Sequence, residues 1–315
     1  MINQLLRRLT LLPIILFVAS LIIFLLPYAT GVDPTMAVIR ARVGERVLTA
    51  ESIERLRTEL DMDRSLPVLY TQWVGRLISG DMGFSYVSRT PVGTIIGRGL
   101  RVTGLLSSIA LLLAIVLALP LGIWAAMRPG SWIDMLVTLT SQIGVAIPQY
   151  VMAPLLILVF AVWAGWLPSA GWRGPQFMIL PALTLTMGPL PYLTQTTRAA
   201  MLDVLNADYI RTARGKGLST RRIIYGHALR NALIPVVTLI AIWLAGLLGG
   251  SVIVEVIFSI PGLGRILYDA VLAGDIPLVQ AGLMVIVTMA IVINTLTDLI
   301  YIVLNPALRT SEGGA

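Results

Sequence analysis

Side chains able to move protons or hold metals are scarce in this sequence, which has no cysteine and a single histidine, His227. Disulfides, thiolate metal sites and a cysteine nucleophile are thereby excluded. His227, alone at the edge of a basic segment, reads as an interfacial side chain satisfied by backbone rather than as a ligand. No GxxxxGK[ST] pattern occurs, so the chain brings no phosphate loop of its own. The Gly-x-Gly at Gly262 and Gly264, after Pro261, lacks a third glycine and a preceding strand, and reads as a turn. Asp298 is an acid within the last apolar run, close to its end, where pairing with a nearby arginine is the expected role. Positive charge, by contrast, is concentrated in residues 198–230. That segment holds Arg198, Arg211, Arg214, Lys216, Arg221, Arg222 and Arg230 against Asp203 and Asp208. Guanidinium groups stay protonated at any physiological pH, so such a cluster does ion pairing and docking rather than proton transfer.

The elements that position this cluster follow from composition. Hydrophobic residues make up 57% of the 315 and charged residues 12%, about half the charge of a typical soluble domain. Lipid must solvate most of the surface. The net charge of +7 does not indicate nucleic acid, because the basic residues flank apolar runs and no aromatic–basic interleaving occurs. A span needs roughly 20 mostly apolar residues, and six candidates satisfy this: residues 9–28, 102–127, 135 to about 163–166, 177–197, 232–254 and 279–304. Pro189 and Pro191 interrupt the fourth. The first run is longer than a signal-peptide core, and Tyr28-Ala-Thr30 is a poor cleavage site, so an uncleaved first helix is expected.

Flanking positive charge sets orientation. With the N-terminus inside, Arg7, Arg8, Arg128, the 198–230 loop and Arg309 all face the cytoplasm, whereas residues 255–275 carry Glu255, Asp269 and Asp275 against Arg265. Both termini are therefore expected in the cytoplasm. Residues 31–101 form a long segment of mixed charge on the opposite side. Within it, residues 49–60 have Thr49 as N-cap and Ile53, Leu56 and Leu60 on one face, the pattern of a short amphipathic helix packed on the outer face of the bundle and closed by Pro67. The expected fold is all-α: six transmembrane helices, a large extracytoplasmic loop after the first, and a cytoplasmic loop between the fourth and fifth. The organisation is 1–30 (tail and first helix), 31–101 (extracytoplasmic loop), 102–308 (core with the loop 198–235) and 309–315 (cytoplasmic tail).

The cytoplasmic loop reads as helix, glycine-rich turn, helix. Residues 199–214 are good helix formers interrupted mildly by Asn206. Gly215 and Gly217 flank Lys216 and signal a turn or C-cap. Ser219 is placed to cap a second helix that enters the membrane near Ala232. Positive-inside placement explains the arginines but not this organised break.

The segment Asp208-Tyr-Ile-Arg-Thr-Ala-Arg-Gly-Lys-Gly-Leu218, followed by His227-Ala-Leu-Arg-Asn-Ala-Leu-Ile-Pro235, resembles the cytoplasmic loop of ABC-importer permeases of the dipeptide/oligopeptide/nickel class, first-permease (B-type) subfamily. Other fragments agree in order along nearly the whole chain: Gly31-Val-Asp-Pro34, Leu60-Asp-Met-Asp-Arg-Ser-Leu-Pro67, Gly80-Asp-Met-Gly-Phe-Ser-Tyr86, Pro120-Leu-Gly122, Phe258-Ser-Ile-Pro-Gly-Leu-Gly-Arg265, and Asp298 with Asn305-Pro306. The family consensus has Glu-Ala-Ala with a glycine after three intervening residues. Here Arg211-Thr-Ala213 and Gly217 stand at those positions, and Arg230 aligns with a later consensus proline, departures usual for the peptide-type branch.

The resemblance implies that a coupling helix centred on Thr212, Ala213, Arg214, Gly215, Lys216, Gly217 and Leu218, and including Asp208 and Arg211, docks on a cytoplasmic ATPase. Small side chains at Ala213, Gly215 and Gly217 would admit close approach, and the basic residues would add specificity. It implies an extracytoplasmic gate near Pro261, Gly262 and Gly264. It further implies a non-enzymatic pore half in the bacterial inner membrane, partnered by a second permease, two ATPases and a binding protein. No cofactor or metal is expected on this chain, ATP and Mg²⁺ belonging to the ATPase. Di- or oligopeptide import is the expected function, with nickel or another peptide-like solute as the alternative. A stand-alone secondary transporter, the alternative of another class, would need an inverted repeat with midplane charges, and neither is visible.

Overall fold

The computed structural model describes residues 2–29, 58, 64–85 and 87–304. Apart from Thr58, the expected helix at 49–60, like the tail beyond 304, lies outside the described residues. Four helices are long and apolar enough to cross a membrane, and six spans result if each of two bent helix pairs counts as one. The chain divides into two units: residues 1–102 with 261–291, and 103–260 with 292–315.

The first unit opens with α1 (Ile2–Ala29) and α2 (Leu66–Ile78), whose first turn contains Pro67. Proline suits that position, where its missing N–H has no intrahelical acceptor, so Pro67 opens a helix instead of closing a region. The Tyr70 hydroxyl lies 2.8 Å from the Ser20 hydroxyl, and Phe24 meets Tyr70 edge-to-face and Trp73 at a tilt. Ser20 is midway along the apolar part of α1, so α2 lies against the middle of that segment. A short antiparallel hairpin, β1 (Phe84–Ser85) with β2 (Thr90–Pro91), follows. It leads into α3 (Val92–Met127), 36 residues long. The second span was expected from residue 102. The ten residues before it, including Arg98 and Arg101, are helical too, extending α3 by about 15 Å. Val92 and Ile96 pack with Leu263, Leu267, Leu278 and Ala281 as this unit's core.

In the second unit, α4 (Trp132–Ala146) and α5 (Gln149–Leu156), continued by a π-helical turn at Ile157–Trp163, meet at 102°. α4 ends before Pro148, which caps α5, because proline's ring clashes with the carbonyl a turn earlier and it has no N–H to continue the helix. The third expected span thus has a sharp corner in its middle. The fourth is likewise bent, by 50° between α6 (Gln176–Thr186) and α7 (Pro189–Leu205). The helix expected over 199–214 breaks completely at Asn206 and Ala207, where the backbone of Ala207 is extended. Two further helices, α8 (Asp208–Gly215) and α9 (Thr220–Ile223), are followed by a π-helical turn at Ile224–Ala228 and α10 (Leu229–Gly250). From Thr220 to Gly250 the helical run is continuous, so the helix expected after Ser219 and the apolar segment from Ala232 form one piece. Beyond α11 (Val252–Ile257), residues 261–291 return to the first unit with α12 (Leu263–Leu272) and α13 (Ile276–Leu304).

Candidate partner-docking site

α8 is amphipathic: Ile210 and Ala213, three residues apart on one face, are buried, while Asp208, Arg211, Thr212, Arg214, Gly215 and Lys216 are exposed. Ile210 and Ala213 join a cluster that includes Ile123 and Ala126 of α3, Met201 of α7 and Ile223 just before the π-turn. Across the exposed side, the Asn231 amide donates to the Tyr209 hydroxyl at 2.9 Å. Arg211 lies 3.5 Å from Asp208, but both side chains are exposed, and such a pair adds little stability.

The turn after α8 is a Schellman motif. Lys216 is the C-cap and Gly217 has φ +75°. The Gly217 N–H donates to the Arg214 carbonyl at 2.9 Å and the Leu218 N–H to the Ala213 carbonyl at 3.3 Å, the pattern that satisfies a helix's last carbonyls. Half-buried Leu218 packs against the Ala213 cluster, which completes the motif's apolar contact. Ser219 occupies the N-cap of α9 as expected, but its side chain makes no capping bond.

These geometries separate three residues that sequence reasoning grouped together. Ala213 points into the chain's own core at 8% exposure, which corrects the expectation that its small side chain faces a partner. Gly217 is glycine because the turn needs a left-handed backbone. Gly215 is the exception. Its backbone is helical, and a Cβ built there would meet nothing within 4 Å. Arg214, Lys216, Arg221 and Arg222 are exposed around it.

Arg198 does not belong to that surface. Its guanidinium grips the Asp134 carboxylate with two nitrogens, the second bond being 2.7 Å, and the Gly130 N–H donates to the same group at 2.9 Å. Sequence reasoning missed Asp134, although Ser131-Trp-Ile-Asp134 fits a capping box and the Asp134 N–H does donate to the Ser131 hydroxyl. Asp275 was missed as well. It is 4% exposed, receives the Ser85 hydroxyl and a bond from the Leu278 backbone, and caps α13. An aspartate before Ile276-Pro277 was the available signal. In the second unit, buried Glu255 accepts from Thr103 at 2.6 Å and Ser251 at 2.7 Å.

At the expected gate, Pro261 is exposed while Gly262 and Gly264 are buried at the start of α12. Positive φ falls on Ser259, at +54°, and on neither of these glycines. His227 is exposed. The side chain of Asp298 lies outside the described residues. Among the described residues, no three His, Cys, Asp or Glu side chains stand close enough to hold a metal ion.

Residues 118–310 match the family described as binding-protein-dependent transport system inner membrane component, and residues 1–103 match the N-terminal family of the same membrane components. The chain is 37% identical over 309 residues to the glutathione transport system permease protein GsiC of Escherichia coli (strain K12), covering 98% of this chain and 99% of that protein. The namesake protein of Shigella flexneri serotype 5b is 36% identical over the same lengths. In fold, the chain is similar to the MetNI methionine ABC transporter in an inward-facing crystal form, with TM-score 0.56, 22% identity, and coverage of 68% of this chain and 98% of that one.

Proposed function

This chain belongs to the family of binding-protein-dependent transport system inner membrane components and is the permease subunit of an ABC importer, and on that premise we propose that it passes di- or oligopeptide-like solutes, driven by ATP hydrolysed on separate subunits. Near-complete alignment with a permease named for glutathione, itself a small peptide, supports the solute class. As in its family, it works with an ATPase and a binding protein. The fuller assembly is a second homologous permease beside this one, two ATPases below it holding ATP and Mg²⁺, and the binding protein above. Both termini and α8 face the cytoplasm, the side favoured by the positive-inside bias.

The observation that carries the docking role is the open space over Gly215 on a helix whose opposite face is buried. A partner groove can close on α8 at backbone distance there, while Arg211, Arg214 and Lys216 supply rim charges that favour the correct encounter. The buried face does the transmitting. Through Ile210 and Ala213, a push on α8 reaches α3, α7 and the helical run into α10, a contiguous packed network of the kind that can carry coupling.

Gly215→Leu tests this reading. The chain itself has room for the side chain, so membrane insertion should be unchanged. A clash of about 1–3 kcal/mol in a close-packed interface should weaken ATPase co-purification by roughly ten- to a hundredfold and reduce ATP-driven uptake with it. Undiminished uptake removes the docking role from α8. Gly217→Asp is less informative, since its φ of +75° makes the turn itself the casualty.

A further inference from the structure

We infer that the first unit holds a transit site for a zwitterionic peptide in the cleft beside Arg98. The cleft encloses about 480 Å³ and is bounded by Ser88 and Thr90 of the hairpin region, Arg98 of α3, Pro261, Asp269 of α12 and Asp275. That volume lies within the range of roughly 300–1,000 Å³ typical of small-molecule sites. Two extended residues span about 7 Å, so a dipeptide fits with room for side chains, against an apolar wall that includes Ile95 and Ile266.

Charges of both signs line this small concavity, and they differ in availability. Arg98 is exposed and makes no ion pair with any described residue. A guanidinium in that state is a ready bidentate partner for a peptide's terminal carboxylate. Asp269 is held 3.6 Å from Arg265 on its own helix, yet its side chain remains 61% exposed, leaving carboxylate lone pairs for a terminal ammonium. Asp275 is already committed to Ser85 and α13. The Ser88 hydroxyl donates to Ser85 at 2.8 Å, so one network fixes the cleft rim and the head of α13. An acidic loop of the binding protein would satisfy Arg98 but meet repulsion from Asp269, whereas a zwitterion satisfies both. Partly exposed ion pairs bind weakly, as suits a site that must release its cargo inward.

This inference rests on the peptide reading and on the proposed orientation, and the test separates them. The chain has no cysteine, so Ala273→Cys, at an exposed position lining the cleft, provides a unique thiol. Thr90→Cys on the hairpin provides a second reporter should the first fail to reach the membrane. Spheroplasts carrying the whole importer, washed free of binding protein, are treated with a membrane-impermeant maleimide. Dialanine at ten times its Kd should slow labelling by about tenfold, N-acetyl-dialanine amide should not, and Arg98→Gln should abolish the protection. Absence of outside labelling at both positions overturns the orientation, and the site with it. Labelling that dialanine does not slow overturns the transit site alone. Protection that requires added binding protein, and is equal for both peptides, overturns it in favour of a protein-docking surface.

Discussion

Asp275 shows how much one side chain does at the head of a span. Burial pushes its carboxyl above the usual carboxylate range, with the bonds from Ser85 and Leu278 opposing that shift without cancelling it. A folded-state pKa above the unfolded value means that the folded chain binds the proton more tightly. The stability so gained is fully present below about pH 4, the unfolded value, and is lost as pH rises through the raised folded value. Asp275→Asn keeps an oxygen that can cap α13 but cannot titrate. In the purified importer, the Tm of the variant should gain on that of the parent as pH is raised from about 4 to 7; a difference constant with pH would exclude ionisation as the cause. The same scale explains what was legible in the 198–230 loop. Gly215 and Gly217 both announced a turn, but only the backbone at each shows that Gly217 serves the turn while Gly215 leaves a space.

At the scale of elements, contacts distant in sequence hold the bent helices against one another. Asp134 on α4 and Arg198 on α7 are clamped together with side chains 7% and 26% exposed, joining two helices more than sixty residues apart in the chain. On another side of α7, a Cβ at Gly122 of α3 would come within 2.8 Å of the Thr194 carbonyl, so α3 and α7 pack there with no room for a side chain. Removing one member of a largely buried pair strands the other's charge. Asp134→Ala should therefore cost about 3 kcal/mol of stability, seen as lower thermal stability in detergent. Asp134→Leu combined with Arg198→Met should recover much of that loss, and a double variant as unstable as the sum of its parts would show that the two groups do not interact. Neither partner declared itself from composition: Arg198 read as one more positive-inside charge, and Asp134 lay just outside a run read as charge-free. The break at Asn206 and Ala207 was similarly underestimated, because local helix propensity there is adequate and burial of Ile210 and Ala213 sets the new helix direction.

For the whole molecule, orientation is the property that function depends on most. Charge asymmetry favours the cytoplasmic side for the 198–230 loop, and single-cysteine variants make that a direct measurement. Lys216→Cys should resist an impermeant maleimide in intact spheroplasts and react fully once they are lysed; equal reaction before lysis would reverse the topology. The apolar segments, the absence of thiols and of a phosphate-loop motif, and the helix–glycine–helix form of the 198–230 loop were all determined by the sequence alone. They follow from run lengths, residue types and local spacing, which the bilayer and the backbone read without tertiary help. The angle of 102° taken at Pro148, the helix α2 lying against the middle of α1, the inward face of Ala213 and the cleft beside Arg98 were decided only by tertiary structure. Each depends on which distant side chains meet, and a proline, a tyrosine or an arginine carries no record of its partner in the residues next to it.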